Sequence, residues 1–146
     1  MTKKLVGKKA PNFKAECTSE KIYARDDFNG KNLVLYFYPK DSTPGCTTEG
    51  QNFRDLYEEF QANNTEIIGV SRDSIKSHEN FKEKQSFPFE LLSDPDEKVC
   101  KAYDVMKLKS IDDKPDYYVV MVINAEAEKV AELIIDKRTG TVRPNF

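Results

Sequence analysis

Leu33-Val34-Leu35-Tyr36-Phe37-Tyr38-Pro39-Lys40-Asp41-Ser42-Thr43-Pro44-Gly45-Cys46-Thr47-Thr48-Glu49 changes character twice along its length. Leu33 to Tyr38 is an apolar run that reads as a buried strand, cut off by Pro39, which cannot donate to a sheet ladder. The residues that follow are rich in Ser, Thr, Pro and Gly, the composition of a loop. From Thr47 onward Phe53, Leu56, Tyr57 and Phe60 recur at three- and four-residue spacing, so a helix is expected, stopping near Asn63-Asn64. Cys46 therefore falls in the first turn of that helix. Unpaired backbone N–H groups and the positive end of the helix dipole favour an anion there. The thiolate is the reactive form of cysteine. Thr43, three residues earlier, can aim a hydroxyl at the sulfur or at an oxygen bound beside it. Pro39 and Pro44 stiffen the loop, and Pro39 shields one side of the sulfur.

On either side the chain alternates strands with helices. Phe13–Thr18 and Lys21–Ala24 form the arms of a short hairpin turning near Ser19-Glu20. Glu66–Ser71 is a second buried strand, and Ser74 can cap a helix that carries Ile75 and Phe81. Phe89–Asp94 is a short strand ending in the turn Asp94-Pro95-Asp96, and a helix over Glu97–Tyr103 follows. Tyr117–Ile123, the most apolar run, suits a central strand, with Lys129–Ile135 pairing to it through Asn124–Glu128. Asp136–Phe146 is polar, is punctuated by Gly140 and Pro144, and is expected to be a loose tail. This order predicts an α/β domain over residues 1–146, a mixed central sheet covered by helices on both faces. Such units place ligands at the carboxyl ends of strands, where Cys46 falls.

Composition narrows the function. The chain has 146 residues, 38% apolar and 33% charged, with a formal net charge of −2. No basic stripe suggests nucleic acid, and no apolar run reaches the length of a membrane helix. Met1-Thr2-Lys3-Lys4 is not followed by the apolar core of a signal peptide, so a cytoplasmic location is expected. The three cysteines, Cys17, Cys46 and Cys100, are too scattered for a secreted disulfide framework, and no Cys-x-x-Cys occurs. His78 is the single histidine; in its polar, helix-like segment it reads as solvent-facing, and no zinc or iron site is recognisable.

Pro39, Thr43 and Cys46 reproduce the spacing Pro, three residues, Thr or Ser, two residues, Cys. Through these residues the chain resembles the peroxiredoxins. Tyr36 to Thr47 is similar almost letter for letter to the bacterioferritin-comigratory, PrxQ-like branch, and Gly7, Ala10, Pro11 and Phe13 match the family's opening. The resemblance implies a thioredoxin-like fold without metal or organic cofactor. It makes Cys46 the peroxidatic nucleophile toward a hydroperoxide, Thr43 and Pro39 the residues that shape its pocket, and a sulfenic acid the product. It further implies a reductant such as thioredoxin, glutaredoxin or a small thiol, and a monomer or weak dimer. Phe37, Tyr38 and Phe53 are candidates for an apolar collar. Glu49 occupies a spot where the family places a polar orienting residue, although a solvated helix glutamate accounts for it equally well.

Two departures qualify the resemblance. The branch often places a resolving cysteine five residues after the peroxidatic one, where this chain has Gln51. A second subset places it in the next helix, and Ile75–Gln85 contains none. A single-cysteine cycle with an external thiol is therefore expected. Cys17 and Cys100 remain candidate resolving thiols, although each reads more simply as a small apolar residue. Tyr118 aligns with the arginine that steadies the thiolate and peroxide in the family; Arg54, Arg72, Arg138 and Arg143 lie elsewhere. A tyrosine supplies one donor and no positive charge. The rival reading is a redox-sensing or interaction protein on this scaffold, with little turnover. The family's terminal helix is also not recognisable.

Overall fold

The computed structural model describes residues 7–105, 117–136 and 142–144. A hairpin opens it, β1 (Lys14–Glu16) against β2 (Ile22–Ala24), turning through Ser19 and Glu20, both at positive φ. A short 3₁₀ turn, Arg25–Phe28, then leads into β3 (Asn32–Phe37). Pro39 ends the strand as expected, and α1 (Pro44–Asp55) starts after the intervening loop. The helix predicted to run on to Asn63 is interrupted. Leu56, at φ −99° and ψ 2°, ends α1, and α2 (Tyr57–Ala62) follows at once.

The remaining elements are β4 (Thr65–Ser71), α3 (Ile75–Gln85), β5 (Glu90–Ser93), α4 (Lys98–Ala102), β6 (Tyr117–Ile123), β7 (Lys129–Asp136) and β8 (Val142–Pro144). The sheet order is β5-β4-β3-β6-β7-β8. β3, β4 and β5 run parallel, and β6, β7 and β8 add on antiparallel. The expected loose tail over 136–146 is corrected here: Val142–Pro144 is an edge strand against Leu133–Ile135. Val142 suits a strand, and Pro144 is tolerated because β8 has a neighbour on one side only. The other residues of that stretch lie outside the described ones, apart from Asp136 at the end of β7.

Strand alternation divides the interior in two. Leu33, Leu35 and Phe37 of β3 join one cluster with Phe13, Cys17, Phe28, Val99, Cys100 and Tyr103, contributed by the hairpin, the 3₁₀ turn and α4. Val34 and Tyr36, with Tyr38 just beyond, join the other, with Cys46, Phe81, Phe87 and Phe89 beneath α1 and α3. The expected mixed sheet with helices on both faces is present. Its centre, β3, is the strand that delivers the chain to Cys46.

Candidate active site

Tyr38 still donates its backbone N–H to the Val70 carbonyl (3.0 Å), so the sheet grips the chain up to the residue before Pro39. The turn beyond passes through Ser42 at φ +63°, a left-handed conformation that costs a non-glycine residue about 1 kcal/mol or more. Thr43 is the N-cap of α1, Pro44 takes the first helical position, and Cys46 is the third. Proline suits that first position because its missing N–H would have had no helical partner. Thr47 N–H reaches the Thr43 carbonyl at 2.9 Å, so the N–H groups of Gly45 and Cys46 come before the helical ladder begins. Neither has a carbonyl partner within the helix.

The Thr43 hydroxyl does not cap the helix; it donates to the Lys40 carbonyl at 3.0 Å. The loop from Lys40 to Thr43 thereby closes on itself. Thr43 and Pro39 are half-buried, whereas Cys46 is only 1% exposed. The structure brings the three predicted site residues together at one end of β3. Cys46 is covered by its neighbours, in the same cluster as Tyr38 and Phe81.

Of the three candidates for an apolar collar, two lie on the face of Cys46 and one does not. Tyr38 and Phe53 lie on the face of Cys46, where Tyr36 stacks on both, with ring centroids 5.2 Å and 4.6 Å apart. Phe37 points to the opposite face and packs against Tyr103 instead, because consecutive strand residues alternate. Glu49 is half-buried, and that burial raises its carboxyl above the usual range. Gln51, at the position of the branch's resolving cysteine, donates to the Gln85 side chain at 2.9 Å and so ties α1 to the end of α3. Arg54 bonds the Gln85 carbonyl and Asp55, and Arg72 bonds Glu97. Tyr118 pairs with Ile135 in the ladder between β6 and β7, but its side chain lies outside the description, as do Arg138 and the Arg143 side chain.

The other two thiols are on the far side of the sheet. Cys17 and Cys100 belong to the cluster beneath the hairpin and α4, and both are almost fully buried. Burial pushes the Cys17 thiol up to about 12. It also raises Cys100, which lies against the Asp94 carboxylate. Both are inert packing residues in this state.

His78 is a correction to the solvent-facing reading. It is fully buried, with Nδ1 2.6 Å from Asp41 Oδ2 and Nε2 3.0 Å from the Leu92 carbonyl. Asp41 also accepts from the Tyr38 hydroxyl (2.6 Å) and the Ser77 hydroxyl (2.8 Å). Its backbone N–H donates to Asp73 Oδ2 at 2.9 Å. The ligating atoms of Asp41, Asp73 and His78 lie within 4.8 Å of one another. Each is already engaged by a protein partner, so the group is knitted together as a hydrogen-bonded network rather than open to an ion. The available signal was periodicity: His78 falls three residues after Ile75 and three before Phe81, on the inner stripe of α3.

A widely opened apolar groove of about 410 Å³, lined by Val34, Leu56, Phe60 and Val122, lies where β3 begins, at the opposite end of the strand from Cys46. Among the described residues no helix is long and apolar enough to cross a membrane.

A mixed sheet whose central strand runs through a proline loop into a helix headed by a cysteine defines the peroxiredoxin class of thioredoxin-like proteins. The chain belongs to the AhpC/TSA family, which it matches over residues 6–143. It is similar to Peroxiredoxin Bcp of Xanthomonas campestris pv. campestris, 60% identical over 82 residues, which are 56% of this chain and 51% of that protein. It is also similar to Peroxiredoxin Bcp of Bacillus subtilis, 49% identical over 104 residues, 71% of this chain and 66% of that one. These matches span between half and two thirds of the curated relatives' lengths. Among solved structures, the Xanthomonas campestris bacterioferritin comigratory protein superposes with a TM-score of 0.77 at 41% identity, covering 84% of this chain and 80% of that one. A yeast mitochondrial 1-Cys peroxiredoxin superposes with a TM-score of 0.80 at 27% identity, covering 93% and 70%.

Proposed function

We propose that the protein is a thiol-dependent peroxidase in which Cys46 reduces hydrogen peroxide and organic hydroperoxides by a single-cysteine cycle. The observation that carries the reading is that Cys46 heads α1 behind the Thr43 cap, while both other cysteines lie across the sheet. The Cys46 thiolate attacks one peroxide oxygen; an S–O bond forms as the O–O bond breaks. The departing oxygen takes a proton and leaves as water or an alcohol, and the sulfur is left as sulfenic acid. The N–H groups of Gly45 and Cys46, which precede the helical ladder, are the donors available to stabilise the charge that develops on oxygen. Thr43 and Pro39 shape the space in which the peroxide meets the sulfur.

An external thiol then displaces water from the sulfenate to give a mixed disulfide, and a second thiol releases reduced Cys46. Thioredoxin, glutaredoxin or a small thiol can fill that part. The yeast relative, whose structure concerns thiol resolution through glutathione and thioredoxin systems, is a precedent for such a route. The Xanthomonas relative, whose structure concerns alkyl peroxide reduction, supports organic hydroperoxides as substrates.

Stopped-flow mixing of the reduced protein with hydrogen peroxide tests the reading. Rapid oxidation that vanishes in Cys46→Ser, with repeated turnover once thioredoxin or glutathione is supplied, supports it. A slow, stoichiometric oxidation without turnover supports instead the redox-sensing reading, which the tyrosine at position 118 favours.

A further inference from the structure

We infer that His78 is a positioning residue for Cys46: a ring protonated on both nitrogens that latches Asp41, and with it the peroxidatic loop, to α3 and β5. The inference rests on Cys46 being the reacting group, and it concerns residues outside the loop-and-helix motif itself.

The proton count follows from the partners. Nε2 faces the Leu92 carbonyl, which can only accept. Nδ1 faces Asp41 Oδ2, whose carboxylate is already supplied with donors by the Tyr38 and Ser77 hydroxyls. A neutral ring has one N–H for these two acceptors, and the buried lone pair left over would cost about 1–3 kcal/mol. Two ring protons supply both acceptors, with the Tyr38 hydroxyl a further 3.5 Å contact of Nδ1, and set a buried imidazolium against a buried carboxylate. Asp73 is the other carboxylate of the group; it accepts from the Ser71 hydroxyl as well as from the Asp41 N–H.

The loop is held at Asp41 by both its parts. Its N–H is fixed on the turn between β4 and α3, and its carboxylate is fixed on α3 and, through the ring, on β5. Asp41 immediately precedes the left-handed Ser42 and follows Lys40, whose carbonyl takes the Thr43 hydroxyl. Moving Asp41 therefore moves the cap residue and the opening turn that surround the sulfur. Displacements of the order of 1 Å at a reacting centre can cost roughly a hundredfold in rate.

Two measurements test the latch. Because the chain contains one histidine, ¹⁵N-histidine NMR of the reduced protein at neutral pH reports His78 alone. Protons on both ring nitrogens are expected, and one bare nitrogen would overturn the proposal. That readout needs no peroxidase activity, so it stands apart from the failure of the proposed function, in which wild-type Cys46 would not consume peroxide. The second measurement compares, in His78→Leu, the rate of Cys46 oxidation by hydrogen peroxide with its rate of alkylation by iodoacetamide, mapped by mass spectrometry. An unlatched loop should expose the sulfur while misplacing its donors. Alkylation is then faster, oxidation slower, and the ratio of oxidation to alkylation falls at least about tenfold. A folded variant with an unchanged ratio refutes the latch. Should His78→Leu not fold, Asp41→Asn is measured in its place, with the same direction expected and at least a threefold fall; an unchanged ratio there is equally fatal.

Discussion

Cys46, Cys17 and Cys100 show how one side-chain type takes different roles according to its surroundings. Cys46 lies in the first turn of α1, buried in the cluster beneath α1 and α3, whereas Cys17 and Cys100 lie across the sheet, where burial raises both thiols. The double variant Cys17→Ala/Cys100→Ala should therefore still cycle with an external thiol, at a stability cost of about 1–2 kcal/mol per site. Peroxide-treated wild type should show sulfenate or a mixed disulfide at residue 46 and no bridge to 17 or 100. A Cys46–Cys100 linkage in the mass spectrum of the folded protein would overturn the single-cysteine cycle. The covering of Cys46 gives a second expectation at the same scale: its preference for hydrogen peroxide over a bulky maleimide should exceed that of a free thiol. Competition between the two reagents measures it.

Packing between elements places narrow limits on helix contacts. A Cβ built on Gly50 in α1 would overlap Phe87 Cζ and stand 2.9 Å from Cε1, so the helix approaches the residues after α3 through a glycine. Gly50→Ala should overpack this contact and destabilise by about 1–3 kcal/mol in urea denaturation, with Phe87→Leu in the same chain recovering part of the loss. At the start of α3, Ser74 caps the helix by accepting from the Ser77 N–H at 3.2 Å. Ser74→Ala should cost about 1 kcal/mol. It should also loosen the turn that carries Asp73, visible as faster amide exchange at Asp41.

Across the whole molecule, burial of neutral thiols and phenols predicts weakness toward alkali. Cys17 ordinarily ionises near 9 and is raised to about 12 in the fold; Cys100, Tyr38 and Tyr103 are raised as well, burial being the largest cause in each. For an acid raised on folding, the folded state holds its proton more tightly. The stabilisation is complete below the unfolded value and is lost as pH rises through the folded one. Melting temperature should thus hold up to about pH 9 and fall steadily toward pH 12. A flat profile over that range would show that these groups are solvated.

The sequence by itself determined what depends on local order: the β3 strand, the proline stop, the loop, the helix carrying Cys46, the hairpin, and the strand and helix succession of the sheet. Strand propensity, capping and periodicity act over a few residues and need no partner. Only the tertiary structure decided which face each residue took and what met it there. Phe37 lost its place near the sulfur to strand alternation, residues 142–144 became a strand because β7 offered an edge, and both spare cysteines fell across the sheet. His78 lies 37 residues from Asp41 along the chain, among polar neighbours that suggested solvent. It is buried because folding brings a carboxylate and a carbonyl to its two nitrogens. Long-range pairing of polar groups leaves no local pattern, since its stabilisation exists only once both partners have been taken out of water.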